Sequence, residues 1–253
     1  MLKLFTRQQN SALESIRNRI ATEPSDDPQE FLVMTGPLGG GMSTCAAAIC
    51  KEFGSSAVAL DTQSAEFSYR PAEWLSEYFG LFDIKCPQDK LSRSLIAMAK
   101  LVNLKVIMLE DIQDLKVHHF RRVEKIFDDL VMMRAAIPGL SVLITVKCAS
   151  LPWLKSVLEK LSIRPFLIEL EPLANDKYLK QFIAQHAYPS RIITHELLET
   201  TFIVDVIFDS VNGSIGRLLM MFDLLGKNIE ESSSEELLSF AIYVADLLKV
   251  QRK

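Results

Sequence analysis

The chain has 253 residues, of which 49% are hydrophobic and 24% are charged, and its formal net charge is −4. This composition predicts a globular protein with one large domain, or a core domain plus a small one, and excludes a surface coated in basic residues, so that any DNA contact would be local. The four cysteines lack C-x-x-C spacing, which predicts a reduced, cytoplasmic protein without a metal cluster. We identify no signal peptide and no apolar run of about 18 residues, so we expect no membrane span.

Strand and helix patterns alternate along the first two thirds of the chain. The helical spacing of Leu13, Ile16 and Ile20 predicts an N-terminal helix, which a Pro/Asp linker at 23–28 follows. Short β-rich runs predict strands at 31–35, 57–60, 105–109, 141–146 and 166–170, and the predicted helices between them lie at 71–79, 88–102, 118–136 and 151–161. The alternation predicts an α/β fold with a five-stranded parallel sheet flanked by helices.

The strand signal stops after Pro172. Four helical patterns follow, at 175–187, 195–209, 214–228 and 235–250, and they predict a helical lid. We therefore expect an N-terminal helix and linker at 1–28, an α/β core at 29–172 and a lid subdomain at 173–253.

A glycine-rich segment lies between the first strand and an alanine-rich helix. Its spacing fits a G-x-x-G-x-G-K-[ST] phosphate-binding loop, in which glycines let backbone N–H groups approach phosphate oxygens at a helix N-terminus. The expected nucleotide-binding residues are Gly36, Pro37, Gly39, Gly40, Gly41, Met42, Ser43 and Thr44. The alternative interpretation is a strand-to-helix turn that binds no ligand.

Only position 42 breaks the pattern, because Met42 stands where a lysine would contact the β- and γ-phosphates. Losing a charge-assisted hydrogen bond of about 1.5–3 kcal/mol would weaken nucleotide binding about tenfold to a hundredfold. Hydrolysis should suffer more, because the transition state carries more charge. The sequence thus predicts ATP binding with reduced affinity and weak or absent hydrolysis.

Two adjacent carboxylates follow the apolar run at 106–109. One acid at the carboxyl end of a buried strand holds the magnesium ion with its water, and its neighbour polarises the attacking water. Glu110 and Asp111 are the candidate catalytic residues, and Ser43 and Glu110 are the candidate Mg²⁺ ligands. The usual order is Asp then Glu, so this site reverses it.

Three further residues have candidate roles around the nucleotide. Thr145 lies at the end of the fourth predicted strand, where it would contact the γ-phosphate or the attacking water, or pack as an ordinary β-branched residue. Arg164 precedes the last strand, and Arg217 opens a lid helix after a glycine turn. Taken singly, either arginine also fits a solvated surface charge.

Together these motifs resemble the AAA+ ATPases, and within them the TniB/TnsC group of transposition regulators. The resemblance runs from Thr6-Arg7-Gln8-Gln9, similar to an adenine-side motif, through Arg164 before Leu170-Glu-Pro-Leu173, to Gly213-Ser-Ile-Gly216-Arg217. It implies that Thr145 is sensor 1, that Arg164 is an arginine finger acting in trans on a neighbouring subunit, and that Arg217 is sensor 2.

The resemblance also implies partners. Relatives of this type use ATP and Mg²⁺, assemble as rings or filaments on double-stranded DNA without sequence specificity, and connect a target-selection protein to a transposase. The densest basic run contains Lys116, Arg121 and Arg122, which are the candidate DNA contacts. Acidic residues follow it, so a solvated helix face is the alternative.

Three functional hypotheses stay open from the sequence. The first is an ATP-binding regulator of transposition that forms oligomers on DNA. The second is a catalytically dead pseudo-ATPase scaffold, which Met42 and the reversed acids favour. The third is another AAA+ role, such as a replication initiator, a loader or a secretion-associated ATPase.

Overall fold

The computed structural model describes residues 6–22, 27–61, 70–81, 90–117, 120–175, 179–183, 201–211, 213–228 and 239. The chain divides into two compact units. The loop unit contains Met1–Ser11, Pro37–Gly41 and Leu170–Lys253, and the sheet unit contains Ala12–Gly36 and Met42–Glu169. Within the described ranges, no helix combines the length and the apolar character that a bilayer crossing requires.

A parallel five-stranded sheet forms the centre of the sheet unit. Its strands are β1 (Glu30–Gly36), β2 (Ala57–Asp61), β3 (Val106–Glu110), β4 (Ser141–Lys147) and β5 (Arg164–Glu169). They are hydrogen-bonded in the order β2-β3-β4-β1-β5, and each neighbouring pair is parallel. The predicted α/β fold with a five-stranded parallel sheet is therefore confirmed.

One helix precedes the first strand and further helices connect the strands, as parallel pairing requires. They are α1 (Arg7–Arg17, extended by one π-helical turn at Asn18–Thr22), α2 (Met42–Phe53), α3 (Pro71–Tyr78), α4 (Arg93–Leu101), α5 (Phe120–Ala136) and α6 (Leu151–Lys160). In the loop unit, α7 (Thr201–Val211) and α8 (Ile215–Asn228) follow. All of the helix predicted at 235–250 except residue 239, which is helical, and the start of the one predicted at 195–209 lie outside the described residues.

Both faces of the sheet are buried at its central strands, β1, β3 and β4. Successive side chains of a strand point to opposite faces, and in β1 both Phe31 and its neighbour Leu32 are almost inaccessible. Phe31 belongs to the large cluster that contains residues from α3 to α6, whereas Leu32 and the buried α2 residues Cys45 and Ile49 lie outside that cluster. Helices therefore cover each face at the central strands, which can present only their ends to a ligand, whereas most side chains of the edge strand β5 are exposed.

Among the predicted boundaries that differ from the structure, two differ for identifiable local reasons. Helix α4 begins at Arg93 rather than at 88, because the Ser92 hydroxyl accepts the Leu95 N–H as an N-cap. Strand β5 begins at Arg164 rather than at 166 and includes Pro165. A proline is tolerated there because β5 is an edge strand, where one side needs no ladder donor.

A buried ion pair joins two helices of the sheet unit. Arg70 Nε donates to both carboxylate oxygens of Asp129, at 3.2 and 3.0 Å, and the Ala72 N–H donates to Asp129 Oδ2 at 3.3 Å. Burial raises the pKa of Asp129, and the hydrogen bonds and charge of Arg70 oppose that rise. Asp129 thus satisfies a first-turn amide of α3 from a neighbouring helix.

Candidate functional site

The glycine-rich loop joins the end of β1 to the start of α2. Gly39 has φ +75° and Gly41 has φ +89°, a left-handed region that favours glycine. The loop closes a tight turn in which the Gly40 N–H donates to the Pro37 carbonyl at 2.9 Å. Because Gly36 ends a strand at the carboxyl edge of the sheet, the loop leaves from the edge where ligands bind in α/β folds.

Within the loop unit, the turn that precedes α8 contacts this loop. The Gly216 N–H donates to the Gly39 carbonyl at 2.9 Å. A Cβ at Gly39 would overlap the Ser214 hydroxyl, so glycine is needed here for close packing as well as for its φ. The Ser214 hydroxyl also accepts the Arg217 N–H at 3.3 Å, which fixes the first turn of α8.

The start of α1 approaches the loop at Gly41. A Cβ on Gly41 would overlap the side-chain amide nitrogen of Gln9. Gln9 is itself fixed by a reciprocal capping box, in which Thr6 N–H donates to Gln9 Oε1 at 3.0 Å and Gln9 N–H donates to Thr6 Oγ1 at 3.2 Å. The sequence motif Thr6–Gln9 was predicted to lie on the adenine side, and its glutamine contacts the loop.

The first residues of α2 differ in exposure. Met42 is 8% exposed and packs in the core, whereas the Ser43 side chain is exposed and Thr44 is half-buried. The hydroxyl predicted to bind Mg²⁺ is therefore accessible. The side chain at the position of the missing lysine is buried and has neither a charge nor a donor.

The acidic end of β3 has an unusual backbone. Glu110 is the last residue of the strand, and Asp111 has φ +51°, which is uncommon for a residue other than glycine. The Asp111 N–H donates to Thr145 Oγ1 at 3.0 Å. The predicted sensor threonine is thus buried at the end of β4, and its hydroxyl contacts the second acid of the pair.

Gln113 is a residue of this edge that the sequence analysis missed. Its Nε2 donates to Asp111 Oδ1 at 2.8 Å, and its Oε1 accepts the Lys147 N–H at 3.3 Å. It is 9% exposed, so the side chain is held in one arrangement between the ends of β3 and β4. The only sequence signal was a polar residue two positions after the paired acids.

The structure places Arg164 at the opposite edge of the sheet from Glu110 and Thr145. Arg164 is the first residue of β5 and pairs in register with Glu30, the first residue of β1. Thr145 pairs in register with Met34, four residues along β1 from Glu30. At about 3.3 Å per residue, Arg164 therefore lies about 13 Å from Thr145 along the strand direction, and β1 and β4 also lie between Arg164 and Glu110. The exposed Arg164 side chain also forms an ion pair with Asp27 of the same chain. It cannot serve the site of its own subunit, and its role in trans stays a prediction.

The candidate DNA-binding residues are exposed. Lys116 donates to Ser150 Oγ at 3.1 Å and lies over the Trp153 ring at 5.9 Å, while Arg121 and Arg122 lie in the first turn of α5. The histidines between them, 118 and 119, lie outside the described residues. The contribution of this run to DNA binding stays a prediction.

The described thiols near the loop are not nucleophiles. Burial raises the pKa of Cys45 to about 12, and burial together with the negative charge of Glu110 raises the pKa of Cys50. Both groups are therefore protonated at neutral pH, and a thiolate mechanism is excluded for them.

Comparison with known proteins supports the fold. No family model matches the sequence, and no curated protein matches it. Among solved structures, the Walker-type ATPase of Pyrococcus abyssi is similar over 97% of this chain and 73% of that chain, with a TM-score of 0.63 and 13% sequence identity. The chain therefore has the fold of a Walker-type P-loop ATPase, as predicted, while the narrower resemblance to TniB and TnsC stays a prediction.

Proposed function

We propose that this protein binds ATP with Mg²⁺ through the loop after β1 and hydrolyses it slowly or not at all. The observation that supports this most is the loop itself. Two left-handed glycines, Gly39 and Gly41, stand between a strand and a helix in a Walker-type fold. Backbone amides in such a loop, with the N-terminus of α2, favour the binding of phosphate oxygens.

The side chains suited to magnesium are few. Ser43 supplies an accessible hydroxyl, and Glu110 supplies a half-buried carboxylate at the end of β3. Among the described residues, no group of three His, Cys, Asp or Glu side chains could hold a metal ion by itself. Bound Mg²⁺ would depend on phosphate oxygens for most of its ligands, and it would neutralise phosphate charge.

Two features favour slow hydrolysis. Met42 gives no cationic donor to the developing charge of the transition state, which removes part of the electrostatic stabilisation. Asp111, the second acid, has its carboxylate engaged by Gln113 and its amide engaged by Thr145. The hydrogen bond from Gln113 to Oδ1 withdraws electron density from this carboxylate, which makes it a weaker base for activating a water molecule.

Binding and hydrolysis can be tested separately. Titration calorimetry with Mg²⁺·ATP should give a measurable dissociation constant, and phosphate release should be slow. Ser43→Ala should weaken binding in the presence of Mg²⁺ more than in its absence, because Ser43 is the proposed ligand. Ser55→Ala, an exposed serine in the short helix after α2, is the matched control. Equal effects of Mg²⁺ on both variants would contradict the proposed ion site.

From the resemblance to TniB and TnsC, we further infer that ATP binding controls assembly on double-stranded DNA. The assembled protein would connect a target-selection protein to a transposase. The exposed Arg164 is suited to act on a neighbouring subunit, and Lys116, Arg121 and Arg122 are suited to phosphate contacts. Electron microscopy with duplex DNA should show ATP-dependent rings or filaments that Arg164→Ala abolishes. Free monomers under every nucleotide condition would contradict this role.

The second candidate function is a pseudo-ATPase scaffold. The burial of Met42 favours it, because an apolar side chain packed in the core needs no ligand to be satisfied. Assembly that proceeds equally with and without nucleotide, together with no measurable ATP binding at millimolar concentration, would support the scaffold over ATP-controlled assembly.

A further inference from the structure

Gln9 places a hydrogen-bond donor against the loop that lacks its lysine. The residue is 2% exposed, and its side-chain amide nitrogen lies so close to Gly41 that a Cβ there would overlap it. Gly41 directly precedes Met42, the position at which a lysine donor is missing. Helix capping does not explain why the amide nitrogen of this buried side chain lies against Gly41.

The capping box fixes which end of the Gln9 amide meets the loop. Thr6 N–H donates to Gln9 Oε1 at 3.0 Å, so the oxygen is directed to the start of α1 and the NH₂ group is directed to Gly41. Helix capping requires only the acceptor oxygen, and a glutamate would serve it equally well. The NH₂ group, which the cap does not use, distinguishes a glutamine from a glutamate at this position.

We propose that Gln9 supplies the side-chain donor that Met42 does not, and that its amide NH₂ binds a phosphate oxygen of the nucleotide held by the loop. The inference rests on the proposed function. A rigid, buried side chain loses little conformational entropy when a ligand arrives, so a donor fixed in this way binds efficiently. A neutral amide stabilises extra negative charge less than an ammonium group does, so Gln9 supports binding better than it supports hydrolysis.

Two substitutions at position 9 and one control test this inference. Gln9→Met removes the donor without adding a charge, and Gln9→Glu keeps the capping oxygen while replacing the donor with a carboxylate. Thr6→Ala is the control, because it removes the hydroxyl that accepts the Gln9 N–H but keeps the backbone N–H that orients the Gln9 amide. Titration calorimetry with Mg²⁺·ATP gives affinity, and denaturant unfolding without nucleotide gives stability.

We expect Gln9→Met to weaken ATP binding about tenfold to a hundredfold, the range for a hydrogen bond to a charged group. Gln9→Glu should weaken it at least as much while unfolding at nearly the wild-type denaturant concentration. Thr6→Ala should unfold more easily and bind ATP within about twofold of wild type. Wild-type affinity in folded Gln9→Met would overturn the inference alone. A wild-type protein that binds no ATP would overturn the proposed function as well.

Discussion

Replacing Met42 by lysine should restore part of the missing phosphate contact. Met42 is the first residue of α2, immediately after the loop, and it is 8% exposed. A lysine at position 42 has a side chain of similar length and stands where the lysine of a phosphate-binding loop stands. A charge-assisted hydrogen bond to phosphate contributes about 1.5–3 kcal/mol. Since about 1.4 kcal/mol corresponds to a factor of ten, the dissociation constant for Mg²⁺·ATP should fall about tenfold to a hundredfold.

The same substitution should destabilise the protein without nucleotide. A positive charge in the first turn of a helix costs about 0.3–1 kcal/mol, and burying the ammonium group adds a desolvation cost. Met42→Lys should therefore unfold at a lower temperature than wild type in the absence of ATP and show a larger upward shift when ATP is added. The expected signature is lower intrinsic stability combined with higher affinity.

Titration calorimetry and thermal unfolding, with and without Mg²⁺·ATP, measure these two effects. Met42→Leu is the matched control, because it keeps an apolar side chain of similar volume and should leave the affinity within about twofold of wild type. If folded Met42→Lys and Met42→Leu bind ATP equally, the loop does not present its phosphate-binding geometry. That result would refute the reasoning.

Four further predictions concern the rest of the chain. Gly39→Ala should lower the free energy of unfolding by more than Gly54→Ala does. Both glycines have a positive φ, which alone costs about 1–2 kcal/mol in alanine, but of the two only the Cβ at position 39 would overlap a neighbouring atom. Equal losses in chemical denaturation would contradict this packing. Gln113→Leu should destabilise the protein by about 1–3 kcal/mol, because it removes two hydrogen bonds to half-buried groups, the Asp111 carboxylate and the Lys147 N–H. An unchanged unfolding midpoint would show that these two bonds do not stabilise the protein. Asp129→Asn should cost about 1.5–3 kcal/mol in the same assay, since it removes the charge that accepts the Arg70 hydrogen bonds while Glu73 still lies near that guanidinium, and an unchanged unfolding midpoint would contradict this role of the pair. Cys45, with a pKa of about 12, should resist thiol labelling at about pH 8 until the protein is unfolded, and rapid labelling of the native protein detected by mass spectrometry would contradict its burial.

The sheet could be predicted from the sequence because each strand has a strong local signal. The run 31–35 before the glycine loop and the run 106–109 before the acids are continuous apolar segments, which are typical of strands buried on both faces. Parallel pairing follows from the helices between them. The left-handed requirement at Gly39 and Gly41 was also visible, because glycine spacing carries that information directly.

Long-range contacts of the candidate site could not be predicted in the same way. Asp111 has a left-handed backbone, its N–H donates to Thr145, which is 34 positions away in sequence, and its carboxylate accepts a hydrogen bond from Gln113. The contact of Gln9 with Gly41 likewise joins residues that no local pattern relates. Arg164 was predicted as a trans-acting residue from its position before a motif, and only the register with Glu30 showed which edge of the sheet it occupies.

Hydrogen exchange of the loop amides tests most directly whether the loop binds nucleotide phosphate. With Mg²⁺·ATP, the backbone amides from Leu38 to Thr44 should exchange more slowly than in the free protein, because phosphate oxygens would accept their hydrogen bonds. Adenosine, which lacks phosphates, is the matched control and should leave these amides unprotected. Unchanged exchange in this segment at saturating ATP would contradict the central claim that the glycine loop still binds phosphate without its lysine.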